Sequence, residues 1–438
     1  MISVLLLILW CCFDPVSSAL DASNLNDPPN STHTVDWVVD DDGFSDSQNH
    51  SIVDESSSSK VNVVNVENDT NRSGYHYDHN SRLHCLSTLG HKSEFNWKAT
   101  PLHPTLLNRH ESPNGKGHDS SSNFTWTYED PKCPLHPFNL DSFCHKSLGC
   151  GKKILMVGDS TVESLTDFWL RNLPAMKRER LCPEKDMKCS PRTTLEKVRK
   201  GASGCMTGPH VSPIRFISIC NEECGANSKT SLTYIRHDYL QGTHGKFWYA
   251  TQHCEAWWSL IQSHDVILLS TGPHAPNMLE YPFTKPAPSN FDFSSFAQNE
   301  VNQIVSRLVD VIHPNQTVIY LTAHAGSPEY DQKLMNCSAK PLSKPSKYNQ
   351  TTHPEFHWDK IPFIQRLYKR AFRKYHHIEQ LVVMDIARLN NCRSRCRRDW
   401  IHFRDENFLS PLFYTYNVLH NILMELSDIR ERKGHLAT

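Results

Sequence analysis

From about Gly151 onward, apolar positions along the chain fall into two alternating patterns. The run Lys153-Ile-Leu-Met-Val-Gly158 is short and continuous, as in a strand buried on both faces. Runs at Ile214–Ile219, 265–270, 317–322 and 381–385 repeat that pattern. Between them lie stretches spaced three and four residues apart. Over 161–173, Val162, Leu165, Phe168, Trp169 and Leu173 share one helical face, and Pro174 stops the helix. Helices are predicted likewise over 293–312, 359–375 and 412–426. Strands alternating with helices predict an α/β fold, a mostly parallel sheet covered on both faces. No internal repeat is present.

The first part of the chain reads differently. Residues 1–13 are an apolar run of signal-peptide length, too short to span a bilayer, with Ser17-Ser18-Ala19 as a cleavage site. Residues 1–19 are expected to be a signal peptide, with an uncleaved signal anchor as the alternative; no later run is long enough for another span. Residues 20–82 are rich in Ser, Asn and Asp, and predict a disordered, acidic, glycosylated segment. From 83 to 150 cysteines and tryptophans begin (Cys85, Trp97, Trp126, Cys133, Cys144, Cys150), and predict a disulfide-bearing extension leading into a main domain over 151–430.

Composition narrows the function classes. The 438 residues suffice for one large domain with additions. With 46 basic and 47 acidic residues there is no basic surplus for a nucleic-acid partner. There are 15 cysteines, and glycosylation sequons at Asn30, Asn49, Asn68, Asn71, Asn123, Asn315, Asn336 and Asn349. Together with the leader they predict an oxidising compartment: secreted, or in the Golgi or ER lumen. Once Cys11 and Cys12 leave with the leader the count is odd, so one thiol is unpaired or bridges two chains. The pairs Cys220-x-x-x-Cys224 and Cys392-x-x-x-Cys396 read as disulfide cysteines before metal ligands, and no metal site is predicted. Cys392 and Cys396 sit just before Asp399, so a disulfide there could brace the loop that carries it. Trp248, Trp257 and Trp258 could stack on sugar rings, although core packing explains at least two of them. The basic run Arg393, Arg395, Arg397, Arg398 reads as a solvated loop or, alternatively, as a contact for an acidic glycan.

Two constellations carry chemistry. Gly158-Asp159-Ser160 lies at a strand-to-helix turn, where open α/β sheets place reactive groups. The Ser160 N–H is an orphan donor of the first turn, able with the helix dipole to support an oxyanion. The plain alternative is that Asp159 or Ser160 simply caps the helix. Asp399-Trp-Ile-His402 comes after the last strand and precedes the last helix. It could supply a general base and the carboxylate that fixes its tautomer.

In this order the two constellations resemble the PC-esterase families of the SGNH/GDSL hydrolase superfamily. These include plant trichome-birefringence-like polysaccharide O-acetyltransferases, the animal sialic-acid O-acetyltransferase, and the neurexophilin and PC-esterase proteins. The matching residues are Lys153-Ile-Leu-Met-Val-Gly-Asp-Ser160, Asp399-Trp-Ile-His402, and the lead-in Phe124-Thr-Trp126…Cys133-Pro-Leu. The resemblance implies a three-layer α/β/α fold, Ser160 as nucleophile, Asp399 and His402 as triad partners, and acyl-ester chemistry on glycans. Substrate is then a carbohydrate or glycoconjugate. No bound cofactor is implied, only a donor such as acetyl-CoA if the chain is a transferase. The loop Ser270-Thr-Gly-Pro-His274 resembles the plant Thr-Gly-His but carries Pro273 and lacks a Trp pair. Gly272, His274 and Asn221 are the candidate oxyanion or substrate residues. Two rivals stand beside this reading: a secreted glycan- or protein-binding member without turnover, and a secreted lipid esterase.

Overall fold

The computed structural model describes residues 79–92, 94–107, 123–128, 130–172, 214–225, 228, 230–237, 240, 256–271, 292–324, 326, 332–346, 357–375, 378–404 and 408–436. All of them lie in one compact unit, Gly74–Thr438. Residues 1–78, which take in the expected leader and nearly all of the expected acidic segment, lie outside the described residues, as do Trp248, Gly272, His274 and Asn349; Asn30, Asn49, Asn68 and Asn71 fall within 1–78.

A six-stranded sheet organises this unit. Its strands are β3 (Lys153–Gly158), β4 (Ile214–Ile219), β5 (Thr230–Arg236), β6 (Val266–Leu269), β7 (Thr317–Leu321) and β8 (Leu381–Met384), in spatial order β4-β5-β3-β6-β7-β8. Every pairing is parallel except β4 with β5. The apolar-run signal missed β5, because Thr230, Ser231 and Thr233 interrupt it. These threonines are buried yet bonded: Gly151 N–H donates to Thr230 Oγ1 at 3.0 Å, and Thr233 Oγ1 meets His264 Nε2 at 3.1 Å. Threonine's branched Cβ suits a strand as well as valine's does.

Alternation along the strands loads both faces. Ile154 and Met156 face one core, shared with α2 (Ser160–Asn172) and α7 (Pro411–Leu436). Leu155 and Val157 face the other, with α3 (Ala256–Ile261), α4 (Phe293–Val311) and α5 (Ile361–Arg373). The chain therefore leaves β3 onto one face, while the links between β5, β6, β7 and β8 carry helices on the other. Such a reversal opens a crevice at the carboxyl edge, beside the end of β3. Helix α7 runs ten residues beyond the predicted 412–426, held where Arg430 donates to the Gln316 carbonyl at 3.1 Å.

The extension packs into the first core. Helix α1 (His79–Ser87), strand β1 (Trp97–Pro101) and its antiparallel partner β2 (Phe124–Tyr128) present Leu86, Trp97 and Tyr128 to the Tyr414 and Leu419 side of α7. Disulfides Cys144–Cys220 and Cys150–Cys224 pin it to the turn after β4. Cys220 and Cys224 stand one helical turn apart, so both sulfurs face the same neighbour. A disulfide does form just before Asp399, through one cysteine of the pair. Cys396 pairs with Cys337, and Cys392, at the end of α6 (Ala387–Asn391), is buried as a free thiol. Trp257 and Trp258 are buried and stacked 3.9 Å apart, so they are core residues.

Candidate active site

At the end of β3 the chain turns within two residues into α2. A Cβ on Gly158 would come within 2.4 Å of the Val162 side chain and 2.9 Å of the Ser270 carbonyl, so only glycine lets strand and helix meet this closely. Tyr234 Oη donates to the Gly158 and Asp159 carbonyls at 3.3 and 3.1 Å, and the His237 N–H donates to Gly158 at 2.8 Å. Asp159 is wholly buried and caps the helix: its Oδ1 accepts from the Thr161 N–H at 2.8 Å and the Thr161 hydroxyl at 2.6 Å. The capping role thus falls to Asp159, and Ser160, the first helical residue, keeps its hydroxyl for another partner.

That partner comes from the other end of the chain. Ser160 Oγ lies 2.7 Å from His402 Nε2, across 242 residues of sequence. His402 Nδ1 sits 2.9 and 3.0 Å from the two Asp399 carboxylate oxygens. A carboxylate at Nδ1 requires the proton there, which leaves Nε2 as the acceptor facing the serine hydroxyl. Asp399 Oδ1 also accepts from the Ile401 and His402 N–H groups at 2.9 and 2.8 Å, a local turn that explains why the two side chains are three residues apart. Burial alone would raise the Asp399 carboxyl. The His402 hydrogen bond and charge, joined by the two backbone N–H bonds, overcome that and hold it well below the usual carboxylate range.

The loop from Cys396 to Arg404 is closed on itself. Arg398 N–H donates to the His402 carbonyl at 2.8 Å and Arg404 N–H to the Cys396 carbonyl at 3.1 Å, with an isolated bridge between Arg397 and Phe403. The basic run is therefore not one solvated surface. Arg395 and Arg398 are exposed, whereas Arg393 and Arg397 are buried. Arg393 donates to the Leu409 carbonyl. Arg397 donates to the Ile401 carbonyl at 2.8 Å and lies 4.6 Å over the Phe403 ring. His324, three residues beyond β7, reaches the same Ile401 carbonyl with Nε2 at 2.8 Å. Nothing in the sequence marks either side chain as inward-facing. The one usable signal is the position of His324 just past the carboxyl end of a strand.

Asn221 is not brought to this site. Because β4 runs antiparallel, its end pairs with the start of β5 (Ile219 opposite Thr230), whereas Gly158 lies opposite Arg236. Asn221 thus sits at the amino edge of the sheet, a strand length from Ser160, on the order of 15–20 Å. Asn123, Asn315 and Asn336 are all exposed. Among the described residues, the His/Cys group with metal-ligand proximity is His145, Cys150 and Cys224, and both of its sulfurs are in a disulfide.

Fold and site together define a mixed α/β protein with a Ser–His–Asp array at the carboxyl edge of a mostly parallel sheet. No protein-family profile matches the chain, and no curated protein matches it. Among solved structures it is similar to a catalytic mutant of an acetylxylan esterase from Geobacillus stearothermophilus, at 11% identity and a TM-score of 0.26, covering 65% of this chain and 95% of that one.

Proposed function

We propose that the chain is a serine-dependent O-acyl, here O-acetyl, esterase or transferase of the secretory pathway, acting on a glycan through an acyl-enzyme at Ser160. The observation that carries the reading is the unbroken path Ser160 Oγ, His402 Nε2, His402 Nδ1, Asp399, every step within 3.0 Å. His402 Nε2 takes the hydroxyl proton as Oγ attacks the ester carbon. The oxyanion forms beside the Ser160 N–H and the positive end of α2. On collapse the ester C–O bond breaks, and His402 returns its proton to the departing alkoxide. Water or a sugar hydroxyl, deprotonated by the same imidazole, then takes the acyl group from Ser160. Asp399, held as the anion, orients the ring and stabilises it when charged.

The glycan and the acetyl group come from the PC-esterase resemblance of Lys153–Ser160 and Asp399–His402; the SGNH-type fold is part of the same proposal. Acetyl release from p-nitrophenyl acetate tests the core of it. Ser160→Ala and His402→Ala should each lose about a thousandfold or more in turnover. Equal activity in both variants and wild type would remove the array from the chemistry.

A further inference from the structure

The Ile401–His402 peptide unit is held at both of its polar ends. Its N–H, that of His402, donates to Asp399 Oδ1 at 2.8 Å. Its carbonyl, that of Ile401, accepts two bonds, from His324 Nε2 and Arg397 Nη1, both at 2.8 Å. A peptide unit is planar, so fixing both ends fixes the plane, and with it the Cα from which the His402 side chain springs. The two donors approach from different parts of the molecule. His324 lies three residues past the end of β7, while Arg397 belongs to the loop itself.

Phe403 joins the two: its ring lies 4.4 Å from the His324 ring and 4.6 Å from the Arg397 guanidinium. Arg397 is completely buried, which is expensive for a cation unless backbone carbonyls and an aromatic face take the place of water. Here the Ile401 and Trp400 carbonyls accept from Nη1 at 2.8 and 3.4 Å, the Phe403 ring lies beside the guanidinium, and the Asp399 charge favours the cation. Burial, and the Arg397 charge beside it, lower His324 to about 3, so the ring is neutral at ordinary pH. A neutral ring facing a carbonyl through Nε2 carries its proton there and is a donor.

We propose that His324 and Arg397 are positioning residues that clamp the Ile401 carbonyl, register the Asp399–His402 loop against β7, and so set the reach of His402 to Ser160. This rests on the acyl-transfer reading of Ser160, Asp399 and His402. Neither clamp residue touches Ser160. Each acts through the peptide it holds, and a general base displaced by about 1 Å costs as much as a hundredfold in rate.

The test measures labelling of Ser160 in the full chain by a serine-reactive fluorophosphonate over a range of concentrations, with rates expressed per folded molecule. His324→Gln places an amide N–H near the position of Nε2 and should keep the limiting rate within about threefold of wild type. His324→Asn is equally polar but one methylene shorter. It should lower the limiting rate about tenfold or more while the half-saturating concentration stays within about twofold. Arg397→Met should fall as His324→Asn does, and it tests the clamp again should His324→Asn not fold. A folded His324→Asn or Arg397→Met labelled at the wild-type rate overturns the clamp. So does a loss shared equally by Gln and Asn. Wild-type chain unlabelled at Ser160 would instead sink the acyl-transfer reading, and the clamp with it.

Discussion

The two halves of the candidate site are positioned by different means. Ser160 stands on regular structure: a buried strand, a one-residue turn at Asp159 and a 13-residue helix that Asp159 caps. Its place is set by that regular frame, with the Tyr234 hydroxyl and the His237 N–H from the end of β5 holding the turn. Asp399 and His402 stand on a loop with no regular element. That loop is held by a disulfide, a buried arginine, a buried histidine from a neighbouring strand end, and its own cross-loop bonds. The nucleophile thus rests on regular elements of the sheet, while the base rests on side-chain and disulfide contacts to an irregular loop. Damage far from the chemistry should therefore reach the base more readily than the nucleophile.

Removing Cys337–Cys396 should have the largest effect on stability. The bridge spans 59 residues and ties the loop's first residue to the segment after β7. A native bridge of that reach contributes roughly 2–5 kcal/mol. Cys337→Ser with Cys396→Ser should lower the denaturation midpoint accordingly, and acetyl release should fall even in the fraction that remains folded. Wild-type turnover in the folded double variant would mean that hydrogen bonds alone hold the base. Gly158→Ala is the matching change on the other side. Its methyl would press on Val162 and on a backbone carbonyl, which should cost about 1–3 kcal/mol. Once folded, this variant should leave His402 and Asp399 in place but slow labelling of Ser160. If Gly158→Ala loosened the loop as much as loss of the disulfide does, the two halves would not be held separately.

The same contrast governs what is legible in the sequence. Strand β3 is legible because a strand buried on both faces is apolar throughout, and Ser160 is legible because it comes directly after such a strand. Asp399 and His402 are legible by spacing and by place in the chain order. Strand β5 escapes because its buried threonines meet hydrogen-bond partners that sequence does not display. His324 is one histidine among 26 and belongs to no motif; its role exists only because β7 ends beside the loop. Arg397 reads with its basic neighbours as one surface, because a charge run does not reveal which members turn inward. The cysteines make the point most plainly. Cys220/Cys224 and Cys392/Cys396 share one spacing, yet the first pair takes two partners from the extension. In the second, one cysteine pairs and the other stays free. The antiparallel β4, which puts Asn221 at the wrong edge, likewise arises from pairing and not from any local pattern.

The smallest effect expected is a slope, and it separates the two halves most cleanly. His324 titrates near 6.5 in an unfolded chain and is lowered to about 3 when folded, by burial first and by the Arg397 charge second. Between those values the unfolded state binds one proton more than the folded state. Stability therefore falls as pH drops below about 6.5, by about 1.4 kcal/mol per pH unit for this one group. The buried carboxylate Asp385 is lowered to about 2 by His91 and Lys369 against the opposing effect of burial, so its stabilisation is lost only below about pH 4. A window of about pH 4.5–6.5 thus reports histidines. His420, lowered to about 4, and His136, also lowered, both chiefly by burial, contribute there beside His324. Unfolding free energies across that window should show His324→Asn with a slope shallower than wild type by about 1 kcal/mol per pH unit. Gly158→Ala should shift the whole curve downward and leave its slope alone. An unchanged slope in His324→Asn would mean that the ring is protonated and hydrated in the folded chain. It would then not be a buried neutral donor on the Ile401 carbonyl, and the base loop would lack one of the contacts that set it apart from the turn that carries Ser160.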